Sequence, residues 1–241
     1  MKLTWYGHAA FRIEIKSAVI LIDPFITGNS TAPVSVEEAG SSVTHIILSH
    51  AHGDHVGDTA AIAKKTKAQV ICAFELGCLL ENQGVKNVFS LNPGGGYDFG
   101  AFRATLTLAH HSSALETKDG LLYAGNPCGI VIEAKNEPTL YHAGDTEIFS
   151  DMALINEFYQ PEIGCLPIGD VYTMDGRKAA AAAKKFFDFE TVVPMHYATF
   201  DVLDKTPEKF IKEMAGAKTK VLVLEPGKSV EFKERVKSAA A

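Results

Sequence analysis

The sequence predicts a mixed fold, α/β or α+β, on three observations. Short apolar runs of strand character alternate with helical patterns along the 241 residues. The succession occurs twice, once up to Leu108 and again from Gly129. No linker, low-complexity segment or charge run interrupts it, so residues 1–241 read as a single domain.

The elements follow in order. Met1 to Tyr6 reads as a short strand, and Phe11 to Lys16 alternates apolar and polar as a half-buried strand does. A turn at Ser17-Ala18 leads into Val19 to Ile22, which ends at Asp23-Pro24. Residues 24 to 42 lack periodicity and hold Gly28, Pro33 and Gly40, a loop pattern. A strand over 44–49, a helix near 57–67, a strand at Gln69–Ala73 and a helix from Phe74 to Gln83 come next. Asn92 to Gly96 is a turn, and Phe102 to Leu108 alternates as a strand.

In the second round, Gly129–Ala134 and Thr139–His142 pair across a turn at residues 136–138, and a short helix follows Asp145. Ile163–Ile168 is a strand, Asp175–Phe187 an alanine-rich helix, and Val192 to Pro194 a strand ending at His196. Thr206 caps a helix with Pro207 in its first turn. Val221–Leu224 and Ser229–Phe232 form a terminal hairpin around Pro226-Gly227, and Ser238 to Ala241 fray.

Composition narrows the function. The chain is 46% hydrophobic and 22% charged, ordinary for a globular protein. A net charge of −6, without basic runs, argues against a nucleic-acid partner. No apolar run has the roughly 20 residues a membrane span takes, and no signal-peptide pattern opens the chain. Cys72, Cys78, Cys128 and Cys165 are far apart and form no C-x-x-C, so they read as reduced core or near-core residues of a cytoplasmic protein. The expected partner is a small-molecule substrate, and a homo-oligomer is compatible with the sequence.

The chemistry concentrates in His50-Ala51-His52-Gly53-Asp54-His55, directly after the apolar run Ile46 to Leu48. In extended chain, residues i and i+2 share a side, so His50 and His52 converge with Asp54 close behind. The pattern turns helical past Asp54, which sets His55 apart from the first pair. Two nearby binding centres result, one with His50 and His52, the other with Asp54 and His55. Imidazole and carboxylate together suit Zn, Mn, Fe or Ni. Further candidates sit just after strands: His111, Asp145 and His196.

The hexapeptide resembles the H-x-H-x-D-H motif of the metallo-β-lactamase superfamily. The whole chain is similar to the UPF0173 metal-dependent hydrolase family, relatives of the ascorbate-6-phosphate lactonase group. The resemblance runs from Trp5-Tyr6-Gly7-His8 through Ile22-Asp23-Pro24-Phe25, His142-Ala143-Gly144-Asp145-Thr146, Leu166-Pro167-Ile168-Gly169-Asp170 and Pro194-Met195-His196-Tyr197 to Leu224-Glu225-Pro226-Gly227. It implies an α+β fold with two similar halves packed as a four-layer αββα sandwich. It also implies two divalent ions: His50, His52 and His111 on one, Asp54, His55 and His196 on the other, with Asp145 bridging.

His110 and His111 are neighbours and point different ways, so only one is a ligand; the family pattern places the ligand directly before Ser112-Ser113 and selects His111. His8 lies at a strand-to-strand turn and either lines the pocket or is structural. Asp23 reads as a carboxylate that orients a ligand imidazole from behind. His142 reads as a buried, hydrogen-bonded histidine behind the site, and His45 as a surface residue. Asp170 and Tyr172 resemble the family's substrate-side loop. The helix start Asp175-Gly176-Arg177-Lys178 departs from the family's more acidic pattern, which bears on specificity and not on the metals.

The expected activity is hydrolysis by a dinuclear centre whose bound hydroxide attacks the carbonyl or phosphoryl centre of a small ester, lactone or phosphodiester, with Asp54 as ligand and water-orienting group. No G-x-S-x-G motif offers a serine nucleophile. Two alternatives share the scaffold. One is a diiron redox protein, whose H-x-E-x-D pattern has Glu where this chain has His52. The other is a non-catalytic metal- or ligand-binding protein.

Overall fold

The computed structural model describes residues 1–234. The first part of the chain forms β1 Lys2–Trp5, β2 Phe11–Ile15, β3 Ala18–Ile22, α1 Val36–Ala39, β4 His45–Ile47, α2 Gly53–Val56, α3 Thr59–Thr66, β5 Gln69–Ala73, α4 Phe74–Asn82 and β6 Val88–Leu91. The remainder forms β7 Gly96–Asp98, β8 Arg103–Leu108, β9 Ala114–Thr117, β10 Gly120–Tyr123, β11 Cys128–Glu133, β12 Leu140–His142, α5 Met152–Tyr159, β13 Ile163–Pro167, α6 Gly176–Phe186, β14 Thr191–Met195, α7 Glu208–Glu213, β15 Lys220–Val221 and β16 Ser229–Glu231.

Two seven-stranded sheets carry the fold, in the orders β16-β1-β2-β3-β4-β5-β6 and β15-β14-β13-β12-β11-β8-β7, while β9 and β10 pair alone. Strand patterning explains how the sheets stack. From β3, β4 and β5, Ile20, Ile22, Ile47 and Ile71 share one buried cluster with Leu106, Ile130, Ile132 and Val193 of the other sheet. The alternate residues Leu21, Ile46, Val70 and Cys72 join Ala39, Ile62, Leu76 and Leu80 from the helices outside. The second sheet is covered in turn by Met152, Ala179, Ala183 and Phe210 of α5, α6 and α7. The result is the expected α+β sandwich of four layers, αββα.

Several sequence expectations are corrected. The terminal strands make no hairpin: β15 adds in parallel to β14, whereas β16 returns to the first sheet and pairs antiparallel with β1. Turn residues at 226–227 signalled a reversal, but main-chain partners were open on two different sheets. The short helix expected after Asp145 is α5, which begins at Met152. Thr206 caps nothing; Pro207 holds the cap position of α7 without a side-chain hydrogen bond. The supposed loop 24–42 holds α1, closed by a capping box in which Ser35 Oγ accepts from Glu38 N and Glu38 reaches back to Ser35 N. Strands β6, β7, β9 and β10 had no counterpart in the sequence reading.

Cys72, Cys128 and Cys165 are buried, but Cys78 is exposed on α4. Burial pushes the thiols of Cys72 and Cys128 up to about 12, which makes them inert. His45 is half-buried, edge-on to Phe99 and Phe102, and not a surface residue. Residues 238–241 lie outside the described residues. Among the described residues no helix is long and apolar enough to cross a membrane.

Candidate metal centre

The hexapeptide leaves the end of β4 and closes into α2, a single turn whose cap position is His52. This turn separates the side chains as the spacing required. Three overlapping groups result, each with ligand atoms within 4.8 Å of one another: His50, His52 and His111; His8, Asp54, His55 and His196; and His50, His55 and Asp145.

In the first group His50 Nε2 and His52 Nδ1 are 3.0 Å apart. His111 stands 5.1 Å, ring to ring, from each of them. His110 turns the other way and stacks flat on Phe149 at 4.6 Å. The carboxylate of Asp145 faces all the groups. Its Oδ2 lies 3.0 Å from His196 Nε2, 3.3 Å from His55 Nε2 and 3.7 Å from His111 Nε2.

Behind these groups sits Asp23, fully buried at the end of β3. It accepts hydrogen bonds from Ser49 N at 2.8 Å and Ser49 Oγ at 2.5 Å, and from His55 Nδ1 at 2.8 Å. Ser49 Oγ in turn meets His50 Nδ1 at 2.9 Å. One carboxylate thereby orients two imidazoles, His55 directly and His50 through a hydroxyl, leaving the Nε2 atom of each for other partners. Sequence reasoning passed over Ser49, and also Ser112, whose Oγ reaches His52 Nε2 at 3.3 Å. Their signal was a small hydroxyl residue next to a histidine of the motif.

His142 is buried and points away from these groups: its Nε2 donates to Ala9 O, and its Nδ1 accepts from Gly144 N. It fixes the loop that carries Asp145. His8 is fully buried beside the second group, and its Nε2 meets Asp54 Oδ2 at 3.0 Å. Asp170 and Tyr172 are exposed and belong to none of the three groups, although Gly169 beside them packs on His196 O. A shallow depression of about 600 Å3, lined by Leu108, Ala109, His110, His111, Asn126 and Pro127, borders the centre.

The electrostatics favour a cation. Burial would raise the carboxyl of Asp145, but His196 and His55 hold it well below the usual range. Burial opposes charge on His55, yet the carboxylates of Asp145 and Asp23 lift its pKa well above the ordinary value. Burial, with His55 nearby, lowers His50 far below its ordinary value, and burial lowers His52 and His111. The neutral imidazole is the form that ligates.

The decisive test of fit is hydrogen bonding. His55 Nε2, Asp145 Oδ1 and both ring nitrogens of His196 are buried without a hydrogen-bond partner. Such atoms are costly when left unpaired. His55 Nε2, His196 Nε2 and Asp145 Oδ1 belong to one cluster of nitrogen and carboxylate donors, the set that borderline divalent metals take, while His196 Nδ1 lies on the other side of its ring, beside Gly169.

The comparisons agree with this geometry. A family model described as a β-lactamase superfamily domain matches residues 19–197. A UPF0173 metal-dependent hydrolase of Methylocella silvestris is 52% identical over 92% of this chain and 95% of its own. Another, from Chelativorans sp. (strain BNC1), is 52% identical over 96% of this chain and all of its own. The chain belongs to the UPF0173 family of metal-dependent hydrolases. A solved member of the same fold, Igni18, a metallo hydrolase of the archaeon Ignicoccus hospitalis, superposes with a TM-score of 0.84 at 36% identity, covering 96% of this chain and 99% of that one. The protein is therefore a metal-dependent hydrolase with a metallo-β-lactamase fold. The His/Asp cluster just described is the candidate site for the metal on which this family depends.

Proposed function

We propose that the centre holds two divalent transition-metal ions and hydrolyses a small ester, lactone or phosphodiester. The observation that carries this reading is the overlap of three ligand groups around one carboxylate, with three of their donor atoms, His55 Nε2, His196 Nε2 and Asp145 Oδ1, buried and unpaired. His50, His52 and His111 would hold one ion and Asp54, His55 and His196 the other, with Asp145 available to both. Zinc suits this donor set best, and manganese, nickel or iron also fit it. Two such ions supply a water with its pKa brought toward 7 and polarise the attacked oxygen.

The chain's own residues do the rest. Asp23 and Ser49 keep His50 and His55 in one orientation and one tautomer. Asp54 is the carboxylate of the centre within reach of solvent, its side chain 23% exposed. Burial would raise its carboxyl, but the hydrogen bond from His8 and the nearby His55 hold it well below the usual range. It therefore stays ionised as a ligand and as an acceptor that orients an incoming water. The net charge of −6 supports a small-molecule substrate over nucleic acid, and the four free thiols support a cytoplasmic setting.

Elemental analysis after reconstitution with excess metal and desalting is expected to give close to two ions per chain. A value near zero for Zn, Mn, Ni and Fe alike overturns the reading. A panel of lactones, phosphodiesters, thioesters and β-lactams assayed on the loaded protein then names the bond cleaved. Asp54→Asn is expected to keep its circular dichroism and lose hydrolysis of whichever substrate the wild type accepts.

A further inference from the structure

We infer that His8 is a positioning residue that holds Asp54 in place for the second ion, as the inner member of a buried Asp54–His8–Thr199 chain. The inference rests on the dinuclear reading and assigns a role to a residue outside the seven ligands.

The placement of His8 is over-determined. It sits in the tight turn between β1 and β2 with φ +52°, a left-handed conformation that costs an ordinary residue energy. Gly7 before it has φ +92°, and a Cβ there would lie 2.1 Å from Thr31 Oγ1. The carbonyl of His8 accepts two hydrogen bonds, from Trp5 Nε1 at 2.9 Å and from His196 N at 3.0 Å. The backbone of His8 is thus tied to the backbone of a ligand, and its ring lies 3.8 Å from the ring of His196. Phe25 and Phe200 stand edge-on to the ring at 5.6 and 5.3 Å and close it off from water.

The hydrogen bonds fix the direction of the chain. Asp54 Oδ2 accepts, so Nε2 of His8 carries the proton. Nδ1 meets Thr199 Oγ1 at 3.1 Å, a hydroxyl that also reaches Tyr197 O at 3.2 Å. Thr199 is itself held from its carbonyl by Ser30 Oγ at 3.0 Å. Asp54 Oδ2 lies 3.0 Å from His8 Nε2 and 4.0 Å from His55 Nε2, so His8 fixes the oxygen of Asp54 that is turned toward the cluster. His8 cannot ligate through Nε2 while that atom donates to Asp54, which makes it a support and not an eighth ligand. The segments joined are residues 8, 54 and 199, so one side chain ties the β1–β2 turn to loops from both sheets.

The test uses chelator competition on the zinc-loaded protein together with zinc X-ray absorption. In His8→Ala the weaker-held zinc is expected to lose about 10–100-fold in affinity, the usual effect of removing a group that orients a ligand. The tighter-held zinc keeps its affinity. His8→Gln places an amide N–H where Nε2–H stands and is expected to recover most of the loss. Ala, Gln and His share the same left-handed penalty, so the comparison isolates the side chain. Thr199→Val is expected to show a smaller loss in the same direction. The number of imidazole nitrogens per zinc stays unchanged in His8→Gln.

Equal zinc affinities in wild type and His8→Ala overturn the inference and leave the dinuclear reading standing. A lower imidazole count in His8→Gln also overturns it, by making His8 a ligand. A wild type that takes up no metal overturns the dinuclear reading instead. In that case nitrogen NMR of the apo protein still decides the clamp: a single Nε2–H tautomer of His8 that Asp54→Ala disturbs supports it, and a mixed tautomer indifferent to Asp54 removes it.

Discussion

The two halves of the molecule are built on one plan and end in opposite conditions. Read from β16, the first sheet makes three antiparallel pairings, then three parallel ones. Read from β7, the second sheet does the same. In each sheet one strand stands at the change, β3 in the first and β12 in the second. An aspartate follows each: Asp23 directly after β3, Asp145 three residues after β12. Both are buried, and both face His55, Asp23 at Nδ1 and Asp145 at Nε2. Asp23 is hydrogen-bonded at both oxygens, whereas Asp145 has an unpaired Oδ1 and three imidazole nitrogens before Oδ2. Two carboxylates at equivalent positions thus differ: Asp23 supports imidazoles, and Asp145 is the one placed as a candidate ligand. What separates them is that protein donors take up both oxygens of Asp23 and leave Oδ1 of Asp145 without a partner, not how deeply each is buried.

The sharpest way to break this comparison is to remove each carboxylate in turn. Asp145→Ala is expected to lower kcat/KM by about a thousandfold or more, since metal polarisation is worth several kcal/mol and each 1.36 kcal/mol is tenfold. Asp23→Ala is expected to weaken metal binding by only about 10–100-fold. In the apo protein both removals cost stability in urea. Asp23→Ala strips the acceptor from Ser49 N, Ser49 Oγ and His55 Nδ1, at a cost of about 3 kcal/mol or more. Asp145→Ala takes the counter-charge from His55 and His196 and is expected to cost a comparable amount. Metal affinity and turnover therefore separate the two, and equal losses of both in the two variants would collapse the distinction.

Acid should strike both halves through histidines kept neutral. Burial lowers His8, from the first half, to about 4, and it lowers His142, from the second. Each takes a proton more readily when unfolded, near pH 6.5. Their contribution is therefore complete above about 6.5 and is lost as pH falls, for His8 through about 4, which amounts to roughly 3 kcal/mol for that residue. His55 runs the other way: its raised pKa stabilises the fold below 6.5 and ceases to do so only as pH rises through the raised value. Apo stability that stays flat in urea between pH 7 and pH 4.5 would contradict the burial of His8 and His142. The smallest effect concerns a helix of the first half only. Ser35→Ala should cost about 1 kcal/mol by opening the capping box of α1, while Thr206→Ala before α7 should cost almost nothing.

The strand–helix order and the hexapeptide could be read in advance because both are local. Alternation along β3 to β5 reports the two faces of a buried sheet, and the spacing of His50, His52 and His55 reports a strand running into one helical turn. The pairing of β16 with β1 could not be read, because that contact joins opposite ends of the sequence and leaves no local period. Ser35-Val36-Glu37-Glu38 has the S-x-x-E spacing of a capping box, a local signal that the loop reading of residues 24 to 42 passed over. At the centre, the ligand types were visible, but the hydrogen bonds of Asp23 and His8 depend on loops brought together from both sheets. A lone histidine in a turn carries no mark of the carboxylate it will meet.

The return of β16 also sets an order of events during synthesis. Six strands of the first sheet, β1 to β6, emerge from the ribosome before any strand of the second. Their seventh partner, residues 229–231, emerges after β15, the last strand of the second sheet. Until then β1 is an open edge that can recruit a neighbouring chain. A nascent protein arrested short of residue 229 therefore carries an exposed pairing edge beside a nearly complete fold, a condition that calls for a chaperone and disappears when the last strand closes.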